Sequence, residues 1–180
     1  EFTKYLYQDL AWGPDFKKVD GPKIKNSDSN SEFYIQQSLK VMKYSFKDLK
    51  GKKVFNIGTG REAKVFAKYG CEVFHMDLGE DTVKETKKWA KKNKKKIVSV
   101  TADISKFNLD KKKFDIIFLA GLYQHLQVPA ISLIKFMNAL KKGGIMYLGF
   151  YRSGEFKYFV VDAIRHIVNI KLIKKIKSLN

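Results

Sequence analysis

The sequence has only one cysteine, Cys71, among its 180 residues. A single cysteine cannot form a disulfide within the chain, which fits a protein that works in a reducing compartment. The first residues, "EFTKYLYQDLAWGPDF", are too polar to contain the apolar segment of a secretory signal peptide. Together these two features predict a cytoplasmic protein.

Long apolar runs are also lacking, because no stretch reaches the roughly 18 uninterrupted apolar residues of a membrane helix. The hydrophobic fraction of 44% and the aromatic fraction of 14% are nonetheless typical of a folded globular chain. A length of 180 residues allows one domain with a substantial core. We therefore predict a single domain over residues 31–180 with no membrane span.

Residues 1–30 lack the periodic apolar pattern of a helix or a strand. They contain instead the turn signals "WGPD", "DGPK" and "KNSDSNS", together with scattered aromatic residues. We expect an irregular N-terminal arm that lies over the functional site as a lid.

Arginine is scarce in a chain that is otherwise strongly basic. The formal net charge is +18, but the 36 basic residues include only three arginines, Arg61, Arg152 and Arg165. A large positive charge suggests a nucleic-acid partner, yet proteins that recognise phosphates and bases usually depend on arginine. The composition therefore favours a solvated basic surface, and an RNA-binding function remains an alternative that rests on charge alone.

The apolar pattern predicts alternating helices and strands. A first helix is expected from Ser31 to Gly51, with apolar residues spaced by four and three along one face. Strands are then expected at 53–57, 72–76, 97–100, 114–120 and 145–150, with helices at about 62–69, 81–92 and 129–141. A last long helix is expected over residues 155–180. This order predicts the α/β class with a doubly wound, mostly parallel sheet.

The turn Gly58-Thr59-Gly60 follows the first predicted strand. Its two glycines allow the backbone to bend sharply and to approach a ligand, and the next helix offers free N–H groups to an anion. Asp77, at the end of the second strand, is placed to accept hydrogen bonds from two ribose hydroxyls. The segment 58–63 also satisfies the dinucleotide pattern G-x-G-x-x-A. These residues by themselves fit NAD(P) and S-adenosylmethionine equally well, so an NAD(P)-dependent oxidoreductase stays open as an alternative.

Three longer stretches carry a family resemblance: "KKVFNIGTGREAKVFAKYGCEVFHMD", "TADISKFNLDKKKFDIIFLAGLYQHL" and "LKKGGIMYLGF". Over residues 52–150 the chain resembles class I S-adenosylmethionine-dependent methyltransferases, particularly the small-molecule branch. The resemblance implies a Rossmann-like methyltransferase fold with S-adenosylmethionine as the cofactor. Such domains typically end with an antiparallel strand pair, and we expect this chain to stop before it. Whether the chain is a fragment stays open, as does its oligomeric state.

The resemblance assigns nine positions to the cofactor. They are Asn56, Gly58 and Gly60 at the methionine end, Asp77 at the ribose, Leu78, Asp103 and Ile104 around the adenine, and Ala120 and Gly121 beneath the sulfonium. Asp103 has an alternative role, because an aspartate at this position can simply cap a turn.

The segment "GLYQHL" is where the resemblance places the catalytic face. His125 is the candidate general base, because imidazole titrates near neutral pH, with orientation of the loop as its alternative role. Tyr123 is the candidate for lining the substrate pocket. His75 lies within the second strand and is expected to be packed in the core. The histidines and the cysteine show no metal-ligand spacing, so no metal site is predicted.

Two residues depart from the family pattern, and the absence of one motif narrows the class of acceptor molecule. Asn56 stands where the family has an acid in the first strand, and Glu62 stands where it has its third glycine. A non-catalytic binding subunit therefore remains an alternative. Glu62 either supplies a negative charge for the cofactor's ammonium group or repels its carboxylate. No N/D-P-P-Y/F motif follows the fourth strand, which argues against methylation of amino groups on bases or glutamine. A small-molecule acceptor remains, with "FYRSGEF" as a further wall of its pocket.

Overall fold

The computed structural model describes residues 27–126 and 128–149. Most of the predicted N-terminal arm, the "FYRSGEF" wall and the predicted last helix lie outside the described residues. Within the described part of the chain, no helix is long and apolar enough to cross a membrane.

Within the part of the chain that the structure describes, the sheet has five strands, and every neighbouring pair is parallel. In chain order the strands are β1 (Lys53–Ile57), β2 (Glu72–Asp77), β3 (Ile97–Thr101), β4 (Phe114–Ala120) and β5 (Leu140–Gly149). Their order across the sheet is β3-β2-β1-β4-β5, so the chain winds outward from β1 in one direction and then from β4 in the other. This confirms the predicted doubly wound class, and it places the switch point between β1 and β4.

Among the described residues, four α-helices flank the sheet: α1 (Ser27–Val41), α2 (Arg61–Lys68), α3 (Glu80–Lys92) and α4 (Pro129–Ala139). Side chains of β4 alternate between two cores. Phe118 packs with α1 and α2 residues on one face, whereas Ile117 and Leu119 pack with Phe136 of α4 on the other. Burial on both faces explains why "FDIIFLA" is apolar throughout instead of alternating.

The first predicted helix is wrong in its boundaries. It begins at Ser27 rather than Ser31, so the predicted irregular arm is helical over its last four residues. It ends at Val41, because Lys43 adopts a left-handed conformation with φ of 58° that a helix cannot continue through. A short 3-10 helix, Phe46–Leu49, follows, and the Asp48 carboxylate accepts hydrogen bonds from the Ser45 N–H and hydroxyl at its start. The predicted apolar stripe is nevertheless buried at Ile35, Leu39, Met42 and Leu49.

Strand β5 begins five residues earlier than predicted. Leu140 pairs with Phe114, but the next paired residues are Ile145 and Ile116, with a bulge between them. Gly143, with φ of 77°, lies in this bulge and supplies a conformation that other residues adopt only at a cost. After the bulge, β4 and β5 pair regularly from Ile116 and Ile145 up to Ala120 and Gly149, at the carboxyl ends of the two strands.

The single cysteine is a core residue. The Cys71 thiol donates a hydrogen bond to the Leu49 carbonyl at 3.2 Å, and the side chain is 2% exposed. Burial raises the pKa of this thiol to about 12, so it stays protonated at neutral pH. Cys71 therefore has none of the properties of a nucleophile.

Candidate functional site

The nine predicted cofactor positions lie at one edge of the sheet. Because all five strands are parallel, their carboxyl ends meet at this edge. Ile57 of β1 pairs with Met76 of β2 on one side and with Leu119 of β4 on the other. Gly58 and Gly121, which directly follow β1 and β4, and Asp77, the last residue of β2, are thereby brought to the same edge. This arrangement defines the candidate site.

The turn after β1 requires glycine at both ends. Gly58 has φ of 132° and Gly60 has φ of 76°, and side chains with a Cβ atom rarely adopt either conformation. A Cβ atom on Gly60 would also lie 2.2 Å from Oγ1 of Thr86 in α3. Helix α2 begins immediately after the turn, at Arg61, so its free N–H groups face the carboxyl edge of the sheet.

Asp77 ends β2 beside this turn and is partly buried. One carboxylate oxygen accepts a hydrogen bond from the Gly79 N–H at 2.6 Å, which fixes the orientation of the side chain. Burial raises the pKa of Asp77 to about 6, although the Gly79 hydrogen bond opposes the shift. The carboxyl group is therefore ionised at neutral pH. Because burial destabilises the charged form, hydrogen-bond donors would stabilise it.

Asp103 has the capping role that the sequence left open. Its Oδ1 accepts hydrogen bonds from the Ser105 N–H at 2.8 Å and from the Ser105 hydroxyl at 2.7 Å. Its neighbour Ile104 is 5% exposed and packs in the core on the α4 side of the sheet. Both residues therefore have a structural role, and their roles toward adenine, like that of the partly buried Leu78, stay predictions.

Asn56 carries an unsatisfied acceptor. The residue is 1% exposed, and its Nδ2 donates a long hydrogen bond of 3.4 Å to the Phe118 carbonyl. Its Oδ1 has no hydrogen-bond partner among the residues that the structure describes. A buried acceptor without a donor destabilises the fold, so a donor that reached the Asn56 Oδ1 would be stabilising there.

Helix α1 contributes a residue that sequence reasoning missed. The hydroxyls of Tyr34 and Tyr147 lie 3.2 Å apart, and a Cβ atom on Gly149 would be 3.0 Å from the Tyr34 hydroxyl. Tyr34 therefore reaches the carboxyl end of β5. Burial and the Tyr147 hydroxyl raise the pKa of Tyr34, and the Glu62 carboxylate contributes to the same shift. The available signal was weak, because Tyr34 is one residue away from the apolar stripe and resembles a surface aromatic.

Glu62 stands where the family pattern has its third glycine, on the first turn of α2. Burial raises the pKa of its carboxyl group, while its own N–H and the Arg61 guanidinium oppose the shift. The helix dipole favours a negative charge at this position. Glu62 thus places a desolvated acceptor next to the turn and close enough to Tyr34 to influence its titration.

The two candidate catalytic residues lie just beyond β4. Tyr123 and His125 are the two ends of a short 3-10 helix, Tyr123–His125, and both side chains are partly buried. Gly121, with φ of 64°, turns the chain out of the sheet, and its N–H donates to the Gly149 carbonyl at 2.9 Å. The structure thus places this segment at the same edge as the glycine turn. Among residues 27–126 and 128–149, no three His, Cys, Asp or Glu side chains are grouped closely enough to hold a metal ion.

A parallel, doubly wound sheet with a glycine turn after β1 and an acid ending β2 defines a class of α/β domains that bind nucleotide-like cofactors. Within that class, residues 55–148 match the methyltransferase domain family. The match covers more than half of the chain, and the chain belongs to this family. The resemblance to class I methyltransferases is confirmed, and the match favours a methyltransferase over the NAD(P)-dependent alternative.

Individual proteins are similar to the chain in sequence or in fold. The chain is 32% identical over 106 residues to the ubiquinone biosynthesis O-methyltransferase of Pelagibacter ubique (strain HTCC1062), a match that covers 58% of this chain and 44% of that protein. A crystal structure of a candidate methyltransferase from Bacillus halodurans C-125 is 25% identical with a TM-score of 0.55, and the match covers 70% of this chain and 55% of that one. A protein of Pyrococcus horikoshii OT3 is 22% identical with a TM-score of 0.56, covering 73% and 63% respectively. The chain thus spans less than half of the curated relative.

Proposed function

We propose that this chain binds S-adenosylmethionine at the carboxyl edge of the sheet and transfers its methyl group to a small-molecule acceptor. The unpartnered Oδ1 of Asn56 carries the proposal, because it is a buried acceptor at the position where the family pattern has an acid. The cofactor's ammonium group is a donor that would satisfy it. The family match over residues 55–148 supports the same cofactor.

The residues present fit this cofactor part by part. The glycine turn leaves room for its methionine end, where Asn56 and Glu62 both offer acceptors to the ammonium group. The Asp77 carboxylate would accept hydrogen bonds from the two ribose hydroxyls. Leu78, Asp103 and Ile104 would surround the adenine, as the family resemblance implies.

When bound, S-adenosylmethionine supplies a methyl group that is already activated for displacement. The protein therefore has to align the acceptor and, for a hydroxyl acceptor, remove its proton. We assign the proton acceptor to His125 and part of the acceptor pocket to Tyr123, both of which follow β4. Loss of methyl transfer with unchanged cofactor binding in His125→Ala is the expected signature, and unchanged turnover in that variant would remove His125 from this role.

A hydroxyl-bearing small molecule is the acceptor class that we favour. The Pelagibacter ubique relative is named as an O-methyltransferase of ubiquinone biosynthesis. The sequence also lacks the N/D-P-P-Y/F motif associated with base and glutamine methylation. A cytoplasmic location remains a prediction that rests on the single cysteine.

Calorimetric titration of the purified chain with S-adenosylmethionine, S-adenosylhomocysteine and NAD(H) tests the proposal. We expect the first two to bind with dissociation constants on the order of micromolar and NAD(H) not to bind. Binding of NAD(H) alone would overturn the proposed cofactor. Cofactor binding without methyl transfer to any hydroxyl acceptor would favour the non-catalytic binding subunit, for which Asn56 and Glu62 are the specific indications.

Glu62→Gln is expected to weaken S-adenosylmethionine binding by about tenfold, since it removes a desolvated charge next to the ammonium group. S-Adenosylhomocysteine should lose the same factor, because it carries the same ammonium group. Both affinities can be measured by calorimetry. Glu80→Gln, on the exposed start of α3, is the control and should leave both affinities unchanged. Tighter binding by Glu62→Gln would show instead that Glu62 repels the cofactor's carboxylate.

A further inference from the structure

A chain of hydrogen bonds runs beneath the glycine turn across three strands. His75 of β2 is fully buried, and its Nδ1 lies 2.6 Å from the Ser99 hydroxyl of β3. On its other side, the His75 Nε2 lies 2.7 Å from the Gly58 carbonyl, the first residue after β1. The sequence predicted only that His75 is packed in the core. The structure shows in addition that both of its ring nitrogens are engaged.

The chemistry of the two partners fixes the direction of the chain. A carbonyl oxygen can only accept, so the His75 Nε2 carries the proton and donates to Gly58. Nδ1 is then the acceptor of a neutral imidazole, and the Ser99 hydroxyl donates to it. Burial lowers the pKa of His75, which keeps this neutral form at physiological pH.

His75 binds Gly58, the residue of the turn with the largest positive φ. Gly58 has φ of 132°, in a region open essentially to glycine, and glycine is the residue with the most backbone freedom to lose. Its N–H donates to the Met76 carbonyl at 3.1 Å, and its carbonyl accepts from His75. Both polar groups of Gly58 are therefore bound to β2, which fixes the peptide planes from which the turn departs.

The same imidazole also supports the other end of the turn. A Cβ atom on Gly60 would be 3.4 Å from Cε1 and Nε2 of His75, so the ring packs directly under Gly60. Thr86 of α3, whose hydroxyl donates to the Thr82 carbonyl at 2.8 Å, closes the remaining space. The two glycines thus rest on a polar, fully buried support rather than on apolar side chains.

We propose that His75 is a positioning residue, which acts through Gly58 to hold the glycine turn in its ligand-binding conformation. Ser99 donates to Nδ1 and so satisfies the ring nitrogen that does not contact Gly58. A turn that is already ordered loses less conformational entropy when a ligand binds, so the contact should increase cofactor affinity without touching the cofactor. The effect on affinity rests on the proposed function, whereas the effect on the turn does not.

The first test uses the free chain and needs no ligand. NMR of the imidazole nitrogens should show a protonated Nε2 and an unprotonated Nδ1 for His75. In His75→Leu, exchange of the Gly58 amide hydrogen should accelerate by about tenfold beyond the change in global stability, as expected for loss of a buried hydrogen bond. Val73→Ala is the matched control, because Val73 is buried at the other end of β2 and its loss should leave the relative exchange rate of the Gly58 amide unchanged.

The second test separates positioning from stability. His75→Leu should weaken S-adenosylhomocysteine binding by about tenfold, and His75→Gln, which can still donate to Gly58, should recover most of the affinity. Ser99→Ala is a milder variant in case His75→Leu does not fold, and it should accelerate Gly58 exchange, because the His75 ring loses the hydrogen bond to its Nδ1.

An unprotonated Nε2 of His75 in the unaltered chain would overturn the proposal, as would Gly58 exchange that changes no more in His75→Leu or Ser99→Ala than in Val73→Ala. If the unaltered chain binds no cofactor, the proposed function fails, and the exchange measurement still decides the role of His75.

Discussion

Replacing Asp77 with asparagine is expected to weaken S-adenosylmethionine binding by about 100-fold. Two ribose hydroxyls would lose a charged acceptor, and hydrogen bonds to charged groups contribute about 1.5 kcal/mol or more each. Calorimetry on Asp77→Asn gives the loss directly. Asp81→Asn, on the exposed face of α3, is the matched control and should bind normally.

The same substitution is expected to stabilise the free chain. Because burial raises the pKa of Asp77 to about 6, the folded chain holds a proton that the unfolded chain releases near pH 4. The stability that this proton contributes is present at acid pH, decreases as the pH rises through about 6, and is absent at pH 7. Asp77→Asn removes the free-energy cost of burying the charged carboxylate. We expect it to raise the free energy of unfolding at pH 7 by about 2 kcal/mol.

Urea denaturation at pH 4 and at pH 7 measures this difference. The gain in stability of Asp77→Asn over the unaltered chain should be present at pH 7 and nearly absent at pH 4. Cofactor affinity of the unaltered chain should decrease as the pH falls through about 6, because the protonated carboxyl group is a poorer acceptor. A pH-independent difference in stability would contradict the assigned pKa, and full affinity in Asp77→Asn would remove Asp77 from the ribose site.

Gly60→Ala is expected to destabilise the chain by about 3 kcal/mol and to abolish cofactor binding. A left-handed conformation costs a residue with a Cβ atom about 1–2 kcal/mol. The added Cβ would also lie 2.2 Å from Oγ1 of Thr86, a side chain that is fully buried and hydrogen-bonded. Overpacking of this kind typically costs about 1–3 kcal/mol. The turn must therefore either shift or stay in place with a clash that destabilises the fold.

A double variant separates these two contributions. Thr86→Ala removes the atom with which the new Cβ collides, so Gly60→Ala combined with Thr86→Ala should be destabilised by less than the sum of the two single substitutions. Strict additivity in urea denaturation would contradict the collision. Gly51→Ala is a useful comparison, because Gly51 also has a positive φ of 78° but a Cβ there would meet nothing within 4 Å. It should show the conformational effect alone and leave cofactor binding intact.

Much of the fold follows from patterns between residues that are close in sequence. The strand bounds of β1 and β4, the end of α2 shortly before Gly70 and the parallel order could all be predicted, because apolar periodicity and glycine turns act over a few residues. The first helix was predicted to be continuous, because its apolar stripe continues past Val41. The break at Lys43 depends on one backbone conformation that periodicity does not report.

The positions of the site could be predicted for the same reason, but their interactions could not. Gly58, Gly60 and Asp77 are set by the lengths of β1 and β2, and parallel strands must bring them to one edge. The His75 hydrogen bonds join residues 17 and 24 positions apart, and the Tyr34–Tyr147 contact joins residues 113 apart. Such partners depend on strand register and on how α1 packs against the sheet. The sequence alone thus predicted where a cofactor would lie, whereas the tertiary structure decided what contacts the glycine turn and which buried acceptor beside it, the Asn56 Oδ1, has no partner among the described residues.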